Sequence, residues 1–508
     1  MASIHPQSSS MAGPGRLAAV PEESSNGSAS PPLGLYGDWI RTVAVSGAQR
    51  RSTIFGHSGS SYSSASISYV SNNSSCSFGS ASAAGRLECF GGQQELKRIA
   101  RGMVGDGYTQ RMVQAFHDAS SAPAFKHGGG PAPGHALENW FLEHDVGWVL
   151  QIHDKHDLWR LLQHKPECTP QDLVERWIRA LTVIVASITE LVVVAFHGTK
   201  LVARFGKASI TEMLAFVDNI IPVLQAEKLQ VVLDMFICLC GASHMISSEA
   251  PSIFNEIGAT LEREGNKLWE IILNTLKEVR TLAEEDDSWA IEIPRGGEVH
   301  RNTRFIMDCV VSMMNARTSM KNSAPRDNTE NLGGLIDGTI DYLKGLLFTK
   351  SKSCSDQSLR YLFLLNNSYF IADVVFESSR SFIPDLDLWH ITLPPECKKY
   401  MDSYLDVSWG HVLSCIPKSR FPGWIHCWIN TSSLAKFEST FHNTYQAQKF
   451  WKVLDPQFRG ALRKTITKRV ISVYHKYLEE HPELEEHVGH ESSSPEVLEE
   501  MLGELFEG

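Results

Sequence analysis

The sequence predicts an all-α fold, an elongated rod of stacked antiparallel helical bundles that follows a disordered N-terminal tail. Apolar residues recur at helical spacing almost without interruption from Ala136 to Glu285. No convincing run of alternating apolar and polar residues indicates a strand. The loops between the helices are short, and short loops place consecutive helices as antiparallel neighbours in a bundle.

Composition divides the 508 residues into three parts. Residues 1–90 contain 23 Ser, and such a segment buries too little apolar surface to offset chain entropy. We therefore expect a disordered tail there, with short ordered turns near Leu35 to Val45. Residues 91–290 are expected to form the N-terminal and middle bundles, and residues 291–508 the C-terminal bundles. Pro294-Arg295-Gly296-Gly297 ends the middle block.

In the N-terminal half, regular structure is expected from Gln93, with a turn at Gly105 and Gly107. One long helical pattern then runs from Asp172 to Phe205. Its most apolar part, Leu181 to Phe196, has 16 residues and contains a glutamate. Such a run is short for a bilayer span, so a buried helix is the preferred interpretation. No secretory signal or lipidation motif is recognised.

The C-terminal half is predicted to contain seven helices, with a polar loop over residues 315–328. Their expected ranges are 299–314, 331–348, 357–376, 397–415, 434–449, 456–478 and 495–506. We refer to residues 456–478 as the basic helix. Asp455 precedes Pro456, and this pair is typical of a capped helix start.

The basic helix carries an apolar stripe and a cationic surface. Every fourth position is apolar, which predicts one buried face: Phe458, Leu462, Ile466, Val470, Tyr474 and Leu478. The candidate binding residues are the six bases Arg459, Arg463, Lys464, Lys468, Arg469 and Lys476. One interpretation is a solvated surface, partly neutralised by the acidic closing segment, in which residues 477–508 hold 11 Glu. The other is a patch for phospholipid headgroups or an acidic partner.

Other kinds of site find little support. The net charge of −11 does not suggest nucleic-acid binding. The ten Cys are scattered without a CxxC pair, which indicates reduced, small hydrophobic residues. Four histidines could in principle bind a metal, and several acids could form a catalytic acid/base pair. For both groups, a position on a solvated helix face is the more plausible interpretation. The residues concerned are His144, His153, His156 and His164, and Asp337, Asp341, Asp356 and residues 284–287. No catalytic motif, metal or cofactor is predicted.

Five stretches, in order, resemble one family, the plant-type seventy-kilodalton subunit of the exocyst. The blocks are ELKRIARGMVGDGYTQRMVQAF (95–116), GGEVHRNTRFIMDCV (296–310), SLRYLFLLNNSYFI (358–371), FWKVLDPQFRGALRKTITKRVISVYHKY (450–477) and SSPEVLEEMLGELFEG (493–508). In the fourth block the matching residues are Trp451, Val453, Asp455, Pro456 and Arg459. Arg301 and Phe305 replace the Pro and Tyr that are usual in the second block.

The resemblance implies a non-enzymatic helical rod that tethers secretory vesicles to the plasma membrane in exocytosis. It implies a cytoplasmic protein, peripheral at the plasma membrane. The implied partners are other exocyst subunits, Rho-type GTPases or their adaptors, and phosphoinositide headgroups, with no nucleic acid.

Two departures from the family pattern favour an alternative. The Ser-rich tail stands where the family has much of a helical coiled-coil segment. Glu486-His487-Val488-Gly489-His490 stands where family members often have two phosphoinositide-binding lysines, which weakens the expected headgroup binding. The alternative is a diverged scaffold, serving plant immunity or specialised trafficking, that has lost complex assembly and headgroup binding.

Overall fold

The computed structural model describes residues 35–45, 81–121, 133–164, 168–194, 198–224, 228–249, 254–321, 326–380, 393–417, 425–484 and 494–507. Within these ranges the chain is helical and contains no strand, so the all-α prediction is confirmed. A single antiparallel bridge joins Lys452 to Glu507 within the same ranges.

Ten α-helices lie in the N-terminal part of the described chain. They are α1 (Leu35–Thr42), α2 (Ala81–Gly105), α3 (Tyr108–Ser121), α4 (Pro133–Glu143), α5 (Lys155–His164), α6 (Pro170–Val194), α7 (Thr199–Ile220), α8 (Lys228–Glu249), α9 (Asn255–Glu285) and α10 (Ser288–Glu292). Short 3-10 helices span Gly147–Gln151, Ile221–Val223 and Ile293–Arg295.

Seven α-helices follow in the C-terminal part of the described chain. They are α11 (Arg301–Met320), α12 (Arg326–Ser351), α13 (Gln357–Arg380), α14 (Pro395–Leu413), α15 (Ile425–Gln448), α16 (Pro456–Glu480) and α17 (Pro495–Gly503). A 3-10 helix spans Pro482–Leu484. All seven predicted helices are present, with ends that differ by up to nine residues from the expected ranges.

The helices pack in series along the chain, as an elongated stack requires. Helix α6 contacts α2, α7 and α8, α8 contacts α9 and α11, and α11 contacts α12 and α13. The C-terminal helices continue the series through contacts of α13 with α14, of α14 with α15 and α16, and of α16 with α17. The stack therefore has a buried interior that continues from one bundle into the next.

The apolar run predicted as a buried helix lies within α6. Its side chains from Leu181 to Ile188 are buried against the neighbouring helices. Helices α6 and α8 are both long and apolar enough to span a bilayer, but most of each candidate span is already covered by protein. Packing against α2, α7 and α8 accounts for the apolarity of α6.

Three predictions need correction. Residues 315–328 were expected to form a polar loop, but α11 continues to Met320 and α12 begins at Arg326. The helical pattern over Asp172 to Phe205 is broken between α6 and α7, where Gly198 adopts the left-handed conformation with φ of 99°. Disorder was predicted for residues 1–90 apart from short ordered turns near Leu35 to Val45, yet that stretch contains the helix α1, and α2 begins at Ala81. Tyr36 and Ile40 are buried against the bundle, and this tertiary burial stabilises a helix that composition alone does not favour. The rest of the tail lies outside the described residues.

Candidate functional site

Helix α16, which contains the basic helix, begins with the predicted cap. The backbone N–H of Phe458 donates to Asp455 Oδ1 at 2.6 Å, and Pro456 occupies the first turn. Five of the six predicted stripe residues are buried, together with Tyr477 in place of the half-buried Leu478. A helix has 3.6 residues per turn, so a strict four-residue repeat drifts off the buried face after several turns.

The structure separates the six predicted bases into two groups, and the first group is engaged with other elements. Arg463 donates from Nε to the Leu505 carbonyl at 2.7 Å and pairs with Glu507 at 3.1 Å. Arg469 forms an ion pair with Asp406 of α14. These two arginines fasten α16 to the last turn of the described chain and to α14.

The second group is open to solvent. Lys464, Lys468 and Lys476 are exposed, and none has an ion-pair partner within the described part of the chain. Lys464 and Lys468 are four residues apart, so they share one face of α16. Arg459 is half-buried and is likewise without an ion-pair partner among the described residues. The Lys464/Lys468 pair can place two ammonium groups on one anionic surface.

Within the described residues, two glutamates that follow the start of α17 neutralise other bases instead of this lysine pair. Glu504, directly after α17, accepts from the Tyr445 hydroxyl at 2.6 Å and lies 3.6 Å from Lys449. Glu507 pairs with Arg463, as described above. Residues 485–493, where the altered lysine element falls, lie outside the described residues.

The histidines that were considered as metal ligands either pack inside the fold or lie in solvent, and the described cysteines are buried or half-buried. His144 is buried, and its Nδ1 lies 2.6 Å from the Trp140 carbonyl, while His153 and His156 are exposed. Burial raises the pKa of the Cys238 thiol to about 12, so this thiol stays protonated. Within the described ranges, no three His, Cys, Asp or Glu side chains form a group that could hold a metal ion.

The candidate acids also have identifiable structural contacts or lie in solvent. Asp356 accepts from the backbone N–H groups of Ser358 and Leu359 and so caps α13. Asp286 pairs with Arg301 at 2.7 Å. Burial opposes ionisation of Asp286, but hydrogen bonds from Arg301, Ser288 and Asn302 outweigh it and hold the pKa well below its usual range. Asp337 and Asp341 are exposed on α12.

A buried polar junction brings together three of the blocks that carry the family resemblance. Asn366 Nδ2 donates to the Gly297 carbonyl at 2.6 Å and to the Lys452 carbonyl at 2.9 Å. The neighbouring Asn367 accepts at Oδ1 from the His300 backbone N–H at 3.1 Å and from Thr303 Oγ1 at 2.6 Å. The two asparagines thereby join α13 to the 296–300 loop and to the segment before α16.

Comparison with known proteins matches residues 176–504 to the family model that describes the C-terminal part of Exo70, an exocyst complex subunit. That match covers well over half of the 508-residue chain. The chain belongs to the Exo70 family.

The matched Exo70 relatives include proteins of Arabidopsis thaliana, in agreement with the plant-type resemblance. Exocyst complex component EXO70A3 of Arabidopsis thaliana is 27% identical, covering 56% of this chain and 50% of the relative. EXO70B1 of the same plant is 24% identical, covering 72% and 62%. The chain thus spans about half to two thirds of the length of these relatives. S. cerevisiae Exo70 aligns with 12% identity and a TM-score of 0.45, covering 84% of this chain and 90% of the yeast chain.

Sequence reasoning missed two features of this Exo70 protein. It noted Asn366 and Asn367 only as letters of a motif, although a pair of polar residues inside the apolar run from Leu362 to Ile371 is itself a signal of buried hydrogen bonding. It also treated Arg463 and Arg469 as equivalent to the lysines. Their partners lie 42 and 63 residues away along the chain, and no local pattern reveals them.

Proposed function

We propose that this Exo70 protein acts in exocytosis as an exocyst subunit that tethers secretory vesicles to the plasma membrane. The observation that carries the proposal is the family match over residues 176–504, which includes α16 and α17. In this proposal the protein is cytoplasmic and peripheral at the plasma membrane. Its partners are other exocyst subunits and Rho-type GTPases or their adaptors, and it acts without catalysis.

The membrane contact in this proposal is the Lys464/Lys468 pair of α16, with Lys476 and Arg459 adding charge along the same helix. Each basic residue close to an anionic leaflet contributes roughly 1 kcal/mol. Arg463 and Arg469 were candidates on sequence grounds. Their contacts with Leu505, Glu507 and Asp406 support assigning them to folding instead.

Vesicle co-sedimentation of the full chain at low salt tests the membrane part. The vesicles are phosphatidylcholine with or without about 5% phosphatidylinositol bisphosphate. Lys464→Glu with Lys468→Glu is expected to reduce binding at least ~10-fold, since it removes two favourable contacts and adds two unfavourable ones. The matched control is Lys200→Glu with Lys277→Glu, which reverses two exposed lysines of α7 and α9. Equal loss in both variants, or no binding by the wild type, would contradict this assignment.

The second candidate function is the diverged scaffold that acts outside the complex. The specific observation in its favour is the absence of lysine from Glu486-His487-Val488-Gly489-His490. Affinity purification of the tagged full chain from plant cells, with mass spectrometry, separates the two candidates. Stoichiometric recovery of exocyst subunits supports the first, and their absence beside a different reproducible partner supports the second.

A further inference from the structure

Helix α1 lies in a groove formed by α2, α4 and α6 and fills it as a bound peptide would. Its anchors Tyr36 and Ile40, with Val43 directly after the helix, occupy positions i, i+4 and i+7 of one face, and all three are buried. The Tyr36 ring packs 5.7 Å from the ring of Tyr108. Apolar anchors at this spacing are the pattern by which amphipathic helices are recognised in apolar grooves.

Three carboxylates rim the groove, and each accepts a hydrogen bond from α1. The Tyr36 backbone N–H donates to Glu143 Oε1 at 2.8 Å, and the Tyr36 hydroxyl donates to Asp106. Arg41 donates to Asp145 Oδ1 at 3.0 Å. The groove therefore fits a helix that combines apolar anchors with hydrogen-bond donors and a positive charge.

The residue at the end of this rim is held in an uncommon conformation. Asp145 has φ of +60°, which is rare for a residue other than glycine. Arg176 of α6 holds its carboxylate from the other side, with Nε 2.8 Å from Oδ2. The carboxylate is thus positioned by the body of the protein, beside an open cavity of about 420 Å³ that Arg41 and Arg179 also line.

Glycines allow the backbone of this segment to lie directly against the groove. A Cβ at Gly37 would lie 3.2 Å from the Glu143 carbonyl oxygen. A Cβ at Gly92 of α2 would overlap the Ala44 carbonyl oxygen, which no side chain tolerates without movement of the backbone. Gly92 is therefore the point at which a one-atom change displaces the segment.

We propose that this groove is a docking site for amphipathic helices of partner proteins, and that residues 35–45 of this chain occupy it as an exchangeable internal ligand. A helix of eight residues has little stability of its own, so its order depends on docking. The competing partner helix has the pattern of Tyr36, Ile40, Arg41 and Val43. It carries an aromatic residue at position i, aliphatic residues at i+4 and i+7, and a basic residue at i+5. The proposal is independent of the membrane assignment.

Fluorescence anisotropy with a labelled peptide of residues 33–45 tests the exchange on the full chain. Tyr36→Ala with Ile40→Ala in the protein removes the internal competitor, and we expect the wild-type peptide to bind this variant at least ~10-fold more tightly than the wild-type protein. A peptide with the same two substitutions should bind neither protein. Equal affinity of the wild-type peptide for both proteins, or absence of binding to both, would overturn the proposal.

Gly92→Ala provides a second variant that keeps the test decisive. Alanine favours helix α2, so the variant should fold, yet its Cβ meets the Ala44 carbonyl. We expect trypsin to cleave after Arg41 about 10-fold faster than in the wild type, because the segment is released. The labelled peptide should still fail to bind, because the groove itself is obstructed. If trypsin cleaves after Arg41 at the wild-type rate both in Gly92→Ala and in Tyr36→Ala with Ile40→Ala, the segment does not exchange.

Discussion

At the scale of single residues, His300 shows how the polar junction depends on one protonation state. Its Nδ1 accepts from the Asn302 backbone N–H at 3.1 Å, and its ring stacks on Trp289 at 3.7 Å. Nε2 lies 3.2 Å from Glu292, which favours a proton on that nitrogen. Protonation of Nδ1 would remove the acceptor that caps α11, so the folded state requires the neutral ring.

The stability of this protein should therefore fall as the pH drops below the ordinary pKa of histidine. Burial lowers the pKa of His300 to about 4, although Asp286 acts in the opposite direction. Between about pH 6.5 and 4 the unfolded chain binds a proton at this residue that the folded chain does not, so stability is present above this window and is lost within it. His300→Asn retains a capping acceptor. It should reduce the pH dependence by up to about 1.4 kcal/mol per pH unit in urea unfolding.

The matched control for that measurement is His153→Asn, because His153 is exposed. This control should leave the pH dependence unchanged. Burial also lowers the pKa of His144 to about 4. The free energy of unfolding of the His300 variant should therefore still depend on pH, but less steeply than that of the wild type. A slope identical to that of the wild type would mean that His300 is protonated in the folded state.

At the scale of elements, α16 combines a fastening residue and a solvent-facing residue at adjacent positions. Arg463→Ala should lower the free energy of unfolding by about 1.5–3 kcal/mol, because it leaves the Leu505 carbonyl without its charged donor. Lys464→Ala should change stability by less than about 0.5 kcal/mol and should weaken vesicle binding. Urea unfolding and co-sedimentation are measured on both variants. The reverse pattern would show that Arg463 is the contact and Lys464 a structural residue.

Much of α16 follows from sequence because its determinants are local. Asp455 and Pro456 define the start, and the apolar repeat defines the buried face up to Tyr474. Local patterns cannot show which basic side chains contact another element. Arg469 pairs with Asp406 and Arg463 donates to Leu505, and both partners are distant in sequence. The predicted burial of Tyr474 is confirmed, and Trp451 before the helix is buried as well.

Helix α1 was predicted only as short ordered turns near Leu35 to Val45, and its helical form was not foreseen. Its local sequence, LYGDWIRT, lies in a Ser-rich, Gly-rich context, and eight residues give too short a window for a periodic pattern to stand out. Its order comes from Tyr36 and Ile40 meeting residues of α2, α4 and α6. The break before α7 was not predicted, because the apolar pattern continues on both sides of Gly198 and does not indicate its left-handed conformation.

At the scale of the whole molecule, the two halves of the described chain are held together where the middle bundles meet the C-terminal bundles. Helix α8 contacts α11, and the 3-10 helix Ile293–Arg295 contacts α13. The junction adds hydrogen bonds of Asn366 and Asn367 to the 296–300 loop. Cooperative unfolding of a stack depends on such interfaces between neighbouring units, so this loop should govern how strongly the halves are coupled.

Gly297→Ala is the variant that tests this coupling. Gly297 has φ of +76°, and a Cβ there would lie 3.3 Å from Leu359 Cδ1 and 3.4 Å from the Phe363 nitrogen. We expect a loss of about 1–3 kcal/mol and, in differential scanning calorimetry, separation of the unfolding of the two halves into distinct transitions. Gly334→Ala in α12 is the matched control, because a Cβ there meets open space and alanine favours the helix by up to about 1 kcal/mol. If Gly297→Ala unfolds at the wild-type temperature in an unchanged profile, the loop does not couple the halves, and the other contacts between them do so, among them α8 with α11 and Tyr342 of α12 with Arg280 and Glu284 of α9.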